Sequence, residues 1–120
     1  KGLAVSFNCC AEDVASASTV IKDLRQTDCS DFIFAIYEGT DHAGHPFGFS
    51  INNPIYKAGF LLNDTLAYAT LKAIESRETY ETEDWLIILT SDHGGFNTDH
   101  GGASIQERMT FFVCNKDFEK

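Results

Sequence analysis

Asp31-Phe32-Ile33-Phe34-Ala35-Ile36-Tyr37-Glu38 holds six apolar residues in unbroken succession between two acids. A strand with one wet face alternates apolar and polar side chains, whereas an unbroken run predicts a strand buried on both faces, as in a parallel sheet covered by helices. Trp85-Leu86-Ile87-Ile88-Leu89 is a second run of this kind, and Leu3 to Phe7 and Met109 to Cys114 read as further strands. Between them the period changes. Val14, Ala17, Ile21 and Leu24 recur at near-helical spacing from Glu12 to Gln26, with acids in the first turn. From Pro54 to Arg77, the residues Ile55, Leu62, Leu66, Ala69 and Ala73 form one stripe behind a proline suited to a helix's first position. Strand, helix, strand, helix, strand predicts an α/β fold with a mostly parallel sheet flanked by helices. No repeat or linker interrupts it, so residues 1–120 read as one domain.

Open parallel sheets bind ligands beyond the carboxyl ends of their strands, and there this sequence concentrates imidazoles and carboxylates. Thr40-Asp41-His42-Ala43-Gly44-His45 follows the first run, and Thr90-Ser91-Asp92-His93-Gly94-Gly95 follows the second. His100-Gly101-Gly102 closes the glycine-rich loop from Gly94 to Gly102. The first segment alone is weak evidence for a metal, since aspartates and histidines after strands often serve as caps and turn formers, and Asp92 alone reads as a cap of the next helix. Gathered at one sheet edge, Asp41, His45, Asp92, His93 and His100 offer what a divalent metal needs. Zinc takes imidazole nitrogen and carboxylate oxygen, and a catalytic site leaves one position open. The histidines must be neutral to bind, so such a site predicts metal loss on acidification.

The hydrophobic share of 43% in 120 residues fits one modest core and excludes a disordered chain. Nine basic against eighteen acidic residues give a net charge of −9, which argues against duplex nucleic acid as a partner. Two divalent ions would offset about four of those charges locally, so the site could still attract a phosphate. No apolar stretch is long enough to span a membrane, and no signal-peptide pattern opens the chain. Lys1 is followed at once by an apolar strand, as in the middle of a fold, which predicts a piece of a longer chain. Cys9, Cys10, Cys29 and Cys114 have no metal or redox spacing, and Cys114 is expected as a buried core thiol. Adjacent Cys9 and Cys10 would be strained if bonded to each other.

The segments from Tyr37 to His45, from Leu89 to Gly95 and from His100 to Gly102 together resemble the alkaline phosphatase superfamily, most closely its type I phosphodiesterase/nucleotide pyrophosphatase family. The resemblance spans about Asp31 to Asn115. It implies the C-terminal portion of a three-layer α/β/α catalytic domain, acting on phosphodiester or pyrophosphate bonds of nucleotides by two-metal in-line displacement. Asp41, His45 and His100 would match the ligands of one metal, usually zinc, and Asp92 and His93 two ligands of the second. The remaining aspartate and the Ser or Thr nucleophile lie nearer the N-terminus in the family, and nothing before Asp31 matches them. The first metal would thus have three protein ligands here and the second only two. Extracellular or extracytoplasmic placement follows from the resemblance alone.

Other residues near the segments have plainer readings. His42 matches no family ligand and is expected to face solvent or to stand behind a ligand. Asp99 reads as a solvated loop acid, and Thr40, Thr90 and Ser91 as hydroxyls bonded within strand ends rather than nucleophiles. Phe47, Phe49 and Phe96 are expected to cover the edge of the core rather than stack a base. Asn63-Asp64-Thr65 is a glycosylation sequon inside a predicted helix. The histidine-rich set suits zinc, or manganese as in related phosphomutases, better than the calcium of sulfatases, which prefers oxygen. A small phosphate ester or nucleotide is the expected substrate. The competing expectations are a catalytically incomplete metal-binding module, in which ligands survive to hold loops together, and a phosphomonoesterase, phosphomutase or sulfatase of the same superfamily.

Overall fold

Asn53 and Pro54 start the longest helix. The Asn53 carboxamide oxygen accepts the backbone N–H groups of Ile55 at 2.9 Å and Tyr56 at 3.4 Å, and Pro54 needs no hydrogen bond at the first position. The computed structural model describes residues 12–117. In chain order these form α1 (Asp13–Leu24), α2 (Gly39–Phe47), α3 (Pro54–Glu75), a 3₁₀ turn (Tyr80–Thr82), β1 (Ile88–Thr90), α4 (Ile105–Arg108) and β2 (Phe112–Cys114). The two long helices lie within the spans expected from their periodicity. α3 is the common support, packed against both α1 and α2.

The core is small. Leu24, Ala73 and Ile74 are buried together, with Val20, Ile21, Ile33, Tyr80, Trp85 and Ile87 packed around them. Arg77 fastens this corner, with its side chain only 5% exposed. Its guanidinium donates to the carbonyls of Leu24 and Gln26 at the end of α1, and to both carboxylate oxygens of Glu83 at 2.7 and 2.8 Å. It also lies 5.7 Å from the Trp85 ring centroid, a cation–π distance. The hydrogen bonds from Arg77, then Thr79, hold the Glu83 carboxyl down at about 2.

The strand expected over Asp31 to Glu38 is not formed. The segment has no strand partner among the described residues, and Phe32, Phe34 and Ile36 are 82%, 75% and 61% exposed. Only Ile33 reaches the core. Burial on two faces needs a neighbouring strand and a covering layer, and among the described residues no strand pairs with this segment. The strand expected at Leu3 to Phe7 lies outside the described residues.

A parallel sheet is likewise not what the described residues form. β1 and β2 pair antiparallel, with Ile88 opposite Cys114, Leu89 opposite Val113 and Thr90 opposite Phe112. The second expected run is only partly strand, and Leu86, Ile88 and Leu89 are 57%, 47% and 43% exposed. Apolar runs report how much cover a strand needs and say nothing of its partner's direction, which the return of the chain through α4 sets here. Cys114, expected in the core, is half-buried, and it and Cys29 are free thiols. The Cα radius of gyration is 16.3 Å, against about 13 Å for a compact chain of ~100 residues, in keeping with this open arrangement. No helix among the described residues is long and apolar enough to cross a membrane.

Candidate metal centre

The first segment is a helix rather than a loop. Gly39, Gly44 and Pro46 make α2 a poor helix former by propensity, and its ends are secured from outside. The Asp13 carboxylate, at the start of α1, accepts the N–H groups of Glu38 at 2.9 Å and Gly39 at 2.8 Å. At the other end Gly48 takes φ 95°, a conformation open to glycine, and its N–H bonds back to the Gly44 carbonyl. Asn53 also donates to the Phe47 carbonyl at 2.6 Å, tying the end of α2 to the start of α3. Within α2, Asp41 and His45 stand four residues apart and therefore share a face.

His100 is brought to that face by a tight turn. Phe96 and Asp99 exchange backbone hydrogen bonds of 3.0 and 3.1 Å, and Asn97 between them adopts φ 55°. The turn aims one carbonyl at α2 and one at the residues just beyond it: Thr98 takes His45 Nδ1 at 3.1 Å, and Asn97 accepts the Phe49 N–H at 2.7 Å. Asp99 accepts the His100 backbone N–H at 2.8 Å, so it is a turn former. Beyond it, the Glu107 carboxylate gathers Gly102 N–H and the Ser104 N–H and hydroxyl, which lower its pKa and brace the loop.

Three side chains converge. His100 Nε2 lies 3.3 Å from Asp41 Oδ1 and 3.1 Å from His45 Nε2, which in turn lies 3.5 Å from Asp41 Oδ2. One donor atom from each falls within 4.8 Å of the others. With Nδ1–H of His45 donated to the Thr98 carbonyl, its Nε2 presents a lone pair inward. Asp41 Oδ1 is buried without a hydrogen-bond partner. Carboxylate oxygen plus imidazole nitrogen is a zinc or manganese donor set, and an inward lone pair beside an orphaned carboxylate oxygen is what a cation would satisfy. The residues present fit a divalent ion.

Residues 9–109 match the family model of type I phosphodiesterase / nucleotide pyrophosphatase. The chain belongs to that family. No curated protein and no solved structure matches it significantly. Membership points to hydrolase chemistry of the phosphodiesterase or pyrophosphatase type.

The pair that the family resemblance gives to a second ion sits differently. The His93 ring stacks on His100, with centroids 3.8 Å apart and planes 22° apart, so the two segments do meet. His93 Nδ1 is spent on the Gly94 carbonyl at 2.9 Å, leaving Nε2 free to bind. Asp92 is 89% exposed, 3.7 Å from His93 Nε2, and accepts the His93 backbone N–H at 3.0 Å. These two form no group of three donors with the others. His42 is exposed and lines a separate cavity of about 280 Å³ with Glu12, Asp13 and Leu62. Thr90 Oγ1 donates to the Phe111 carbonyl at 2.6 Å, the strand-end bonding expected of it. Asn63 of the sequon is half-buried in α3, with Oδ1 buried.

Two residues beside the candidate centre were not among the residues expected to line it. Tyr56, from the first turn of α3, has its phenol pKa pushed up by burial and then by the Asp41 charge, and its ring lies 5.8 Å from that of Phe49. Phe49 lies edge-on to His45, His100 and Tyr56 at once. The signal for Phe49 was its position just beyond the Gly-His pair, with Gly94-Gly95 leaving room opposite.

Proposed function

We propose that this chain is the C-terminal, metal-holding part of a hydrolase that cleaves phosphodiester or pyrophosphate bonds of nucleotides. Asp41, His45 and His100 hold one divalent cation, zinc by preference of the donor set and manganese next, and Asp92 and His93 contribute to a second. The observation that carries this reading is the convergence of three donor atoms within 4.8 Å around a carboxylate oxygen that has no other partner. A divalent ion bound there supplies Lewis-acid stabilisation of the negative charge on a phosphoryl group. The chain's own part is to fix the donors. Asp41 faces both imidazoles, the Thr98 carbonyl selects the His45 tautomer, and the His93 ring holds His100 from the side.

Family membership supports this substrate class, and the net charge of −9 favours small phosphate esters and nucleotides over duplexes. The nucleophile and the aspartate completing the second set are assigned to polypeptide outside this chain. The exposed faces of Phe32, Phe34 and Ile36 support that assignment, because they are apolar surface waiting for cover. Extracytoplasmic placement belongs to the same reading.

A second reading is favoured by Asp92, whose 89% exposure leaves the second set open. In that reading the chain binds metal without turnover. Elemental analysis after mild purification, run beside hydrolysis of a chromogenic phosphodiester and a chromogenic phosphomonoester, decides between them. About two metals per chain with diester turnover supports the enzyme. Turnover restored only by a longer polypeptide makes this chain its metal-holding part, and metal without turnover in either favours the incomplete module. No metal above background in either removes the site.

A further inference from the structure

Among the described residues, Phe49 contacts both imidazoles of the candidate centre through its ring. Its ring lies edge-on to His45, with centroids 5.6 Å apart and planes at 82°, and to His100, at 6.1 Å and 86°. Tyr56 closes the third side at 5.8 Å and 63°. Edge-to-face geometry is the preferred approach of aromatic rings, so these contacts orient as well as fill.

Two glycines make room for it. A Cβ at Gly44, buried in α2, would overlap the Phe49 ring, and so would a Cβ at Gly95, in the segment that follows Asp92 and His93. The ring therefore fills the space between the helix that carries Asp41 and His45 and the chain that leads to His100. Its main chain is fixed to the same turn, since Phe49 N–H donates to the Asn97 carbonyl at 2.7 Å. Phe47 and Phe96, the neighbouring aromatics, are each 47% exposed, and the structure records no ring contact from either to the histidines.

We infer that Phe49 is a positioning residue: a rigid wedge between Gly44 and Gly95 that sets how far α2 stands from the His100 segment, and so the separation of the His45 and His100 imidazoles. The consequence for metal affinity rests on the function proposed above, whereas the separation of the imidazoles does not. A flat ring is required, because a branched aliphatic of similar bulk has no edge to place between two glycines and no face to offer two imidazoles.

The test uses the whole chain and the variants Phe49→Ala, Phe49→Leu, Phe47→Ala and His100→Ala. Zinc affinity is read by competition with a chromophoric chelator. The metal-free chains are read by the nuclear Overhauser cross-peak between the ring protons of His45 and His100. Phe49→Ala is expected to weaken zinc binding about ten- to hundredfold, the range for residues that orient a ligand from behind, and to abolish the cross-peak. Phe49→Leu is expected to fold with a near-native melting temperature yet recover only part of both, and Phe47→Ala to change neither. A folded Phe49→Ala that keeps both affinity and cross-peak overturns the inference. If Phe49→Ala fails to fold, wild-type values for Phe49→Leu overturn it. If the unmodified chain binds no zinc, the metal reading fails, and the cross-peak in the metal-free variants still decides the role of Phe49.

Discussion

Replacing His100 by alanine removes one of three converging donors and leaves Asp41 Oδ1, already without a hydrogen-bond partner, with no imidazole 3.3 Å away. Structural zinc sites with four protein ligands bind with about 12 kcal/mol, or about 3 kcal/mol per ligand. At about 1.4 kcal/mol per tenfold change, the loss is about a hundredfold in affinity. His42→Ala is the matched control. Its ring faces a cavity shared with Glu12, Asp13 and Leu62, so its removal is expected to change affinity by less than about twofold. Chelator competition at constant pH and salt measures both. The pH dependence adds a second check, because each imidazole that binds must lose its proton. On the acid side the affinity of the parent falls by about two decades per pH unit for two imidazoles, and that of His100→Ala by about one. Equal losses for His100→Ala and His42→Ala, or an unchanged pH slope, would refute the ligand assignment.

Asp13→Ala strips the start of α2 of the carboxylate that accepts both Glu38 and Gly39 N–H groups, and is expected to cost about 1–2 kcal/mol of stability by denaturant titration. An equally stable variant would show that α2 is held by α3 alone. Glu83 has its pKa depressed from 4.5 to about 2, chiefly by hydrogen bonds from Arg77, so its contribution to stability is complete above about pH 4.5 and is lost as pH falls through about 2. In Glu83→Gln that part of the acid-unfolding curve flattens, and a curve parallel to the parent's would contradict it. Tyr56 titrates above its ordinary value through burial first and Asp41 second. Asp41→Asn is therefore expected to move its ring-carbon titration partway back, and no movement would separate the phenol from the carboxylate.

The legible parts of this chain are those decided by local chemistry. Periodicity located α1 and α3, Pro54 marked the start of α3, and residue type and placement put Asp41, His45 and His100 among five candidate ligands, their grouping as one set being implied by the family resemblance. The sheet was not legible in the same way. Phe32, Phe34 and Ile36 say that a strand here would need cover on two faces, but which chain supplies the cover lies beyond the segment, and in the described residues none does. The helix at Gly39–Phe47 was hidden for the opposite reason. Two glycines and a proline argue against a helix, and the contacts that override them come from Asp13, 26 residues upstream of Gly39, and from Asn53. Phe49 reads as one loop aromatic among three until Gly44 and Gly95 are seen on either side of its ring.

These different origins imply that metal binding and turnover separate in this chain. Among the described residues, the contacts that hold Asp41, His45 and His100 together lie within residues 13–107: the Asp13 cap, the Gly48 and Asn53 terminus, the Asn97–Thr98 turn, the Phe49 ring and the Glu107 brace. None of them requires a further sheet strand. Among the described residues the second set has no comparable support, because Asp92 stands 89% exposed just beyond a strand that pairs there on one side only. A site built from local caps and turns survives when the sheet beside it is incomplete, whereas one that hangs from a strand end needs that strand covered. The first ion is therefore expected to bind to the chain as it stands, and the second to bind measurably only when the apolar faces of Phe32, Phe34 and Ile36 are covered by further polypeptide.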